Sequence, residues 1–197
     1  MKKSLSLFLA LMMTVMTLGV FAAGTYTSSD WAKAELTKAE EKGLIPEFLL
    51  NEDLTKPITR AEFAAVSVLL YEAISADKAE PVGTNPFTDT SDAYVLKAYN
   101  LGVTTGTSAT AFSPNDLLTR EQAAAMLTRI YKKLTIDGWE IAKDNEFKLE
   151  YTKGENFADD ALISDWAKDS VYFMAFKSII NGVGENMFSP KAVVTRA

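Results

Sequence analysis

Apolar residues fall at helical spacing over most of this chain. From Thr59 to about Asp77, Phe63, Val66, Leu70 and Ile74 recur every three or four positions, with Ala64, Ala65 and Leu69 widening the stripe. A second such run extends from Thr119 to about Leu134, with Met126, Leu127, Ile130, Tyr131 and Leu134 on one face. Shorter helices are predicted at Trp31–Lys42, behind Ser28-Ser29-Asp30 and stopped by Gly43, at Ala93–Leu101, and at Ser164–Ser178, capped by Ser164 or Asp165. Only Phe147-Lys148-Leu149-Glu150-Tyr151 alternates with a period of two, which allows a short strand or hairpin arm.

One apolar run has no polar face. Leu5 to Val20 follows Lys2 and Lys3 and precedes Val20-Phe21-Ala22 and Ala22-Ala23-Gly24, either of which suits a cleavage site. The run is short against the about 20 residues of a bilayer span. Residues 1–23 therefore read as a secretory signal peptide, leaving no membrane span after its removal.

A short string then recurs: Ile58-Thr59-Arg60-Ala61-Glu62, Leu118-Thr119-Arg120-Glu121-Gln122 and Val194-Thr195-Arg196-Ala197. Upstream, Phe87-Thr88-Asp89 is echoed by Phe157-Ala158-Asp159, and Phe112-Ser113-Pro114 by Phe188-Ser189-Pro190. Such internal repetition predicts stacked units, because one unit cannot bury its apolar face alone. The units are read as 28–80, 86–135 and 157–197, with an insertion at 136–156. The third is incomplete, since the sequence reaches Ala197 where its long helix would begin.

Composition narrows the chemistry. There is no histidine and no cysteine, which removes His-dependent triads, thiolate catalysis, disulfides and His- or Cys-liganded zinc. No cofactor fingerprint occurs, and adjacent acids such as Asp159-Asp160 fit capping better than glycoside hydrolysis. The chain is read as non-enzymatic. Twenty Lys and Arg against 26 Asp and Glu give a net charge of −6, which argues against nucleic acid as a partner.

Thr59 with Glu62, and Thr119 with Gln122, have capping-box spacing, and Thr195 holds the same place in the third string. The arginines are not explained by capping, because a cation is unfavourable at a helix N-terminus. Arg60, Arg120 and Arg196 are candidates either for an anionic ligand at helix ends with open N–H groups, or for ion pairs with a neighbouring unit through Asp89 or Asp159. Trp31 and Trp166, each in a Trp-Ala-Lys triplet, suit a sugar-stacking platform or a buried packing role equally. Gly102, Gly106, Gly182 and Gly184 suit turns at positive φ, with close approach to a ligand as a second role.

Taken together, these motifs resemble the S-layer homology family over nearly all of Ser28–Ala197 outside the linker and insertion. The resemblance implies an all-α, pseudo-threefold assembly with grooves between repeats. It implies non-covalent binding of secondary cell-wall polysaccharide through anionic, pyruvylated sugars, with Arg60, Arg120 and Arg196 at the anion. It also implies a secreted protein of the cell surface, wall or S-layer. Two alternatives stay open: the anchor part of a larger surface enzyme such as a wall hydrolase, and a self-assembling lattice protein. The first loop, Ile45 to Asp53, departs from the pattern by lacking the glycine-rich turn.

Overall fold

The computed structural model describes residues 25–197, so the signal peptide assigned to 1–23 lies outside the described residues. The fold is all-α. Five α-helices are present among the described residues: α1 (Lys33–Glu41), α2 (Arg60–Ser75), α3 (Ala93–Asn100), α4 (Arg120–Thr135) and α5 (Asp165–Phe176). Strand-like pairing is confined to isolated bridges. The two long helices start as their sequences direct. Thr59 and Thr119 accept from the N–H of Glu62 and Gln122, whose side chains accept in turn from the Thr59 and Thr119 N–H groups. Thr119→Ala should therefore lower stability by about 0.5–2 kcal/mol, read as a fall in melting temperature. Thr195 differs, its hydroxyl donating to the Ala197 carbonyl at 2.8 Å.

Small residues let the helices approach closely. On α2 the deepest positions are Ala64, Ala65 and Val68, while Ile74 of the predicted stripe is 61% exposed on the last turn, just before Ala76 ends the helix in a left-handed conformation. One core joins α2, α3 and α4 through Ile58, Val68, Val95, Phe112, Leu118 and Ile130. A second joins α4 to α5 through Ala124, Val171, Phe173, Met174 and Phe188.

The three recurring strings meet in space. The Ile58 N–H donates to Val194 O at 2.8 Å, the Val194 N–H to Leu118 O at 2.9 Å, and the Leu118 N–H to Ile58 O at 3.1 Å, closing a three-cornered ring. The second and third N–H groups after each corner reach a neighbouring loop. Arg60 and Ala61 donate to Asp116 and Pro114, Arg120 and Glu121 to Ala192 and Pro190, and Arg196 and Ala197 to Lys56 and Leu54. This overturns one premise of the sequence reading: the helix-end N–H groups are not open to a ligand, because carbonyls distant in sequence already occupy them.

Two further expectations are corrected. Residues 147–151 form no strand; Leu149 and Tyr151 pack on the second core instead, and a 3-10 turn covers Ile141–Glu146. Ser164 does not cap α5 through its side chain. Its N–H and hydroxyl both donate to the buried Glu121 carboxylate, which also takes Lys191 and so pins the start of α4 to the start of α5.

Candidate functional site

Each recurring motif positions the next. The Asp89 carboxylate accepts from the N–H groups of Phe112 and Ser113 at 2.8–3.1 Å, and Asp159 does the same for Phe188 and Ser189 at 2.7–2.8 Å. These bonds hold Ser113 (φ 58°) and Ser189 (φ 55°) in the left-handed region, where an L-residue pays about 1–2 kcal/mol. The same bonds draw the Asp89 carboxyl below its ordinary pKa. With the loop fixed, the Phe112 carbonyl accepts from Arg60 Nε at 3.0 Å and the Phe188 carbonyl from Arg120 Nε at 2.8 Å. Each guanidinium then lies over the phenyl ring of that same residue, 4.9 and 4.8 Å from the centroid. Asp89 and Asp159 thus position the arginines through the loop backbone and act on them by charge from beyond ion-pair distance.

The three arginines reach different ends. Arg196 is a strut to the start of α2, gripping Glu62 through Nη2 at 2.6 Å and Nε at 3.2 Å, with Glu52 at 3.7 Å. Arg120 is satisfied by backbone, its Nη2 donating to Asn181 O at 2.6 Å beneath an otherwise apolar groove of Phe63, Leu127, Ile179 and Ile180. Arg60 is only 6% exposed and forms no ion pair with a described carboxylate. Burial pushes its pKa below the ordinary value, Asp116 opposes that shift, and the like charge of Arg129 adds to it.

Arg129 was not singled out from sequence. It lies on α4, its Nη1 donating to Val103 O at 3.3 Å, and burial lowers its pKa as well. Both guanidinium groups stay protonated, since arginine does not deprotonate in proteins. They share a groove of about 470 Å³ with the loop residues Thr104 and Gly106, the capping residue Gln122, and Trp166. At N3 of the helix facing each arginine, Gln122 is neutral at the Arg60 groove, whereas Glu62 neutralises Arg196. The two desolvated cations thus line one groove with no carboxylate at ion-pair distance from either, a chemistry able to receive an anion.

Gly106 shapes the groove floor. Its φ is +82°, and a Cβ there would meet Ala111 O at 2.6 Å and the Phe87 ring at 2.7 Å. Trp166, 58% exposed, stands on the groove rim with its ring available to a ligand. Trp31 is 76% exposed on the turn Asp30–Ala32 and lines neither the Arg60 nor the Arg120 groove. Gly182 and Gly184 lie in a turn closed by the Val183 N–H to Met187 O and the Met187 N–H to Gly184 O, and line neither groove. Gly184 has positive φ (112°), but Gly182 does not; there a Cβ would meet Met187 O at 2.9 Å.

Comparison with known proteins identifies what the chain is similar to. Residues 86–124 and 156–197 match the S-layer homology domain. The chain is 33% identical over 147 residues to the exoglucanase XynX of Acetivibrio thermocellus, covering 73% of this chain and 12% of that protein. It is 34% identical over 146 residues to an amylopullulanase of Thermoanaerobacterium thermosulfurigenes, covering 72% of this chain and 7% of that protein. It is 29% identical over 154 residues to a surface-layer 125 kDa protein of Lysinibacillus sphaericus, covering 74% and 11%. The chain therefore spans a small fraction of each of these relatives.

Proposed function

We propose that this chain, whose residues 86–124 and 156–197 are S-layer homology domains and so serve cell-surface anchoring, holds secondary cell-wall polysaccharide non-covalently in the Arg60 groove. One observation carries this reading: Arg60 and Arg129 are both desolvated, unpaired with acid, and directed at one groove rimmed by an exposed tryptophan. A carboxylate borne on a sugar, as in a pyruvyl ketal, matches a guanidinium fork bidentately, and the Trp166 ring suits the apolar face of that sugar. Arg120 serves as a secondary contact and Arg196 as a strut. The module does no chemistry of its own. Export by the segment at 1–23 would bring it to the wall.

Purified chain should co-sediment with cell-wall sacculi and should fail to do so once the secondary polymer has been removed with hydrofluoric acid. Equal retention on stripped peptidoglycan would overturn the polysaccharide assignment. A second reading, the anchor of a larger surface enzyme, is favoured by the matches to an exoglucanase and an amylopullulanase, of which this chain spans only 12% and 7%. Self-assembly into a lattice draws support from the surface-layer relative.

A further inference from the structure

Trp166 has a second neighbourhood. Beyond it, away from Arg60, a larger cleft of about 720 Å³ opens between α4, α5 and the segment 136–156. Trp166 borders both cavities, so the Arg60 groove and this cleft are neighbours on either side of one indole. The segment at 136–156 is held rigidly enough to form a wall. Trp139 is buried, its Nε1–H donates to Asp144 at 2.9 Å, and Asp144 takes Lys132 of α4 at 2.7 Å.

The chemistry of the cleft differs from that of the groove. Lys132 is already neutralised by Asp144, so it offers no cation to a ligand. What remains is mixed: Lys148 and Asn145 can donate, Asp165 and Asp169 can accept, and Phe147 and Tyr151 add apolar surface. Asp165 already pairs with Lys168 at 3.8 Å, so Lys148 and Asp169 balance each other and give no net attraction for a second anion. Alternating donors and acceptors beside aromatic rings instead suit hydroxyl groups on a sugar ring.

We propose that this cleft is a second sugar-binding subsite, which takes an uncharged pyranose unit of the same polymer whose anionic unit sits at Arg60 and Arg129; it rests on the anchoring reading above. The segment 136–156 then serves to read a longer stretch of polymer. Trp166 lies between the two units and supports both.

The probe is polysaccharide released from sacculi enzymatically, so that its acidic substituents are kept, and size-fractionated into its shortest acidic fragments and longer oligomers. Calorimetry is run on the intact chain, on the double variant Asn145→Ala with Lys148→Ala, both exposed positions, and on Asp169→Trp, which fills the cleft. The intact chain should bind long oligomers more tightly than the shortest fragment. Both cleft variants should lose roughly fivefold to tenfold for long oligomers, the worth of one or two hydrogen bonds, and keep the affinity for the shortest fragment. Arg129→Ala should weaken both probes. If the cleft variants bind long oligomers as the intact chain does while Arg129→Ala still fails, the subsite is wrong and the anion groove stands. If no fragment binds the intact chain, the anchoring reading and the subsite fall together.

Discussion

Arg129→Ala should weaken binding to intact sacculi by roughly 10- to 150-fold, the equivalent of the 1.5–3 kcal/mol carried by a hydrogen bond to a charged group. Its melting temperature should fall less than that of Arg60→Ala, because the bond given up to the Val103 carbonyl is the longer one at 3.3 Å and no ring contact is lost with it. Removing a desolvated cation also relieves its repulsion on Arg60. Arg60→Ala should weaken binding comparably but should also destabilise the chain. It orphans the buried Phe112 carbonyl and strips the guanidinium from the Phe112 ring. Lysine at either position should restore only part of the affinity, since a point charge cannot reproduce the planar fork. Calorimetry paired with wall binding on each variant reads both quantities. Arg129→Ala protein that binds as tightly as the parent would remove the groove from the account.

The largest stability effect is expected at Glu62. One carboxylate completes the α2 capping box and receives Arg196 through two nitrogens. Glu62→Ala removes both and leaves Arg196, whose side chain is 14% exposed, without its main partner. The expected cost is about 2–4 kcal/mol, below the full penalty of a fully buried pair because water still reaches the edge. Glu62→Gln keeps the cap and should cost less. Burial works against the Glu62 carboxylate, yet the Arg196 and Thr59 hydrogen bonds and the Arg196 charge outweigh it and hold the pKa below the ordinary value. Asp89 is shifted the same way by the Phe112 and Ser113 N–H groups. A carboxyl whose folded pKa is depressed binds its proton more readily in the unfolded chain. Its stabilisation is thus complete above the unfolded value and lost as pH falls through the folded one. Melting temperature should hold above about pH 5 and decline below about pH 4, with a shallower decline in Glu62→Ala. An unchanged acid profile in that variant would contradict the strut role of Arg196.

The helices were legible because their signals are local. Thr59 with Glu62, and Thr119 with Gln122, lie three residues apart, and the apolar stripe of α4 repeats within one element. What was not legible depends on segments distant in sequence. The carbonyls of Asp116, Ala192 and Lys56 close the helix ends, and nothing near Thr-Arg in the sequence announces them. Three equivalent arginines look alike as letters. They differ because Arg60 and Arg120 meet Phe112 and Phe188 where Arg196 meets Glu52, and because Gln122 is neutral where Glu62 is charged. Arg129 belongs to none of the recurring motifs, and only the fold brings it to one groove with Arg60 and Trp166. The alternation at 147–151 misled because no neighbouring strand pairs with it.

The most direct test of the anion groove is calorimetric titration of the intact chain with two forms of one wall oligosaccharide, identical except that the acidic substituent has been removed from one. The account predicts tight binding of the acidic form and a loss of roughly tenfold or more in the neutral form, as befits a charge-assisted pair of hydrogen bonds. Equal affinity for the two forms would contradict it, and would mean that Arg60 and Arg129 do not read the charge of the polymer.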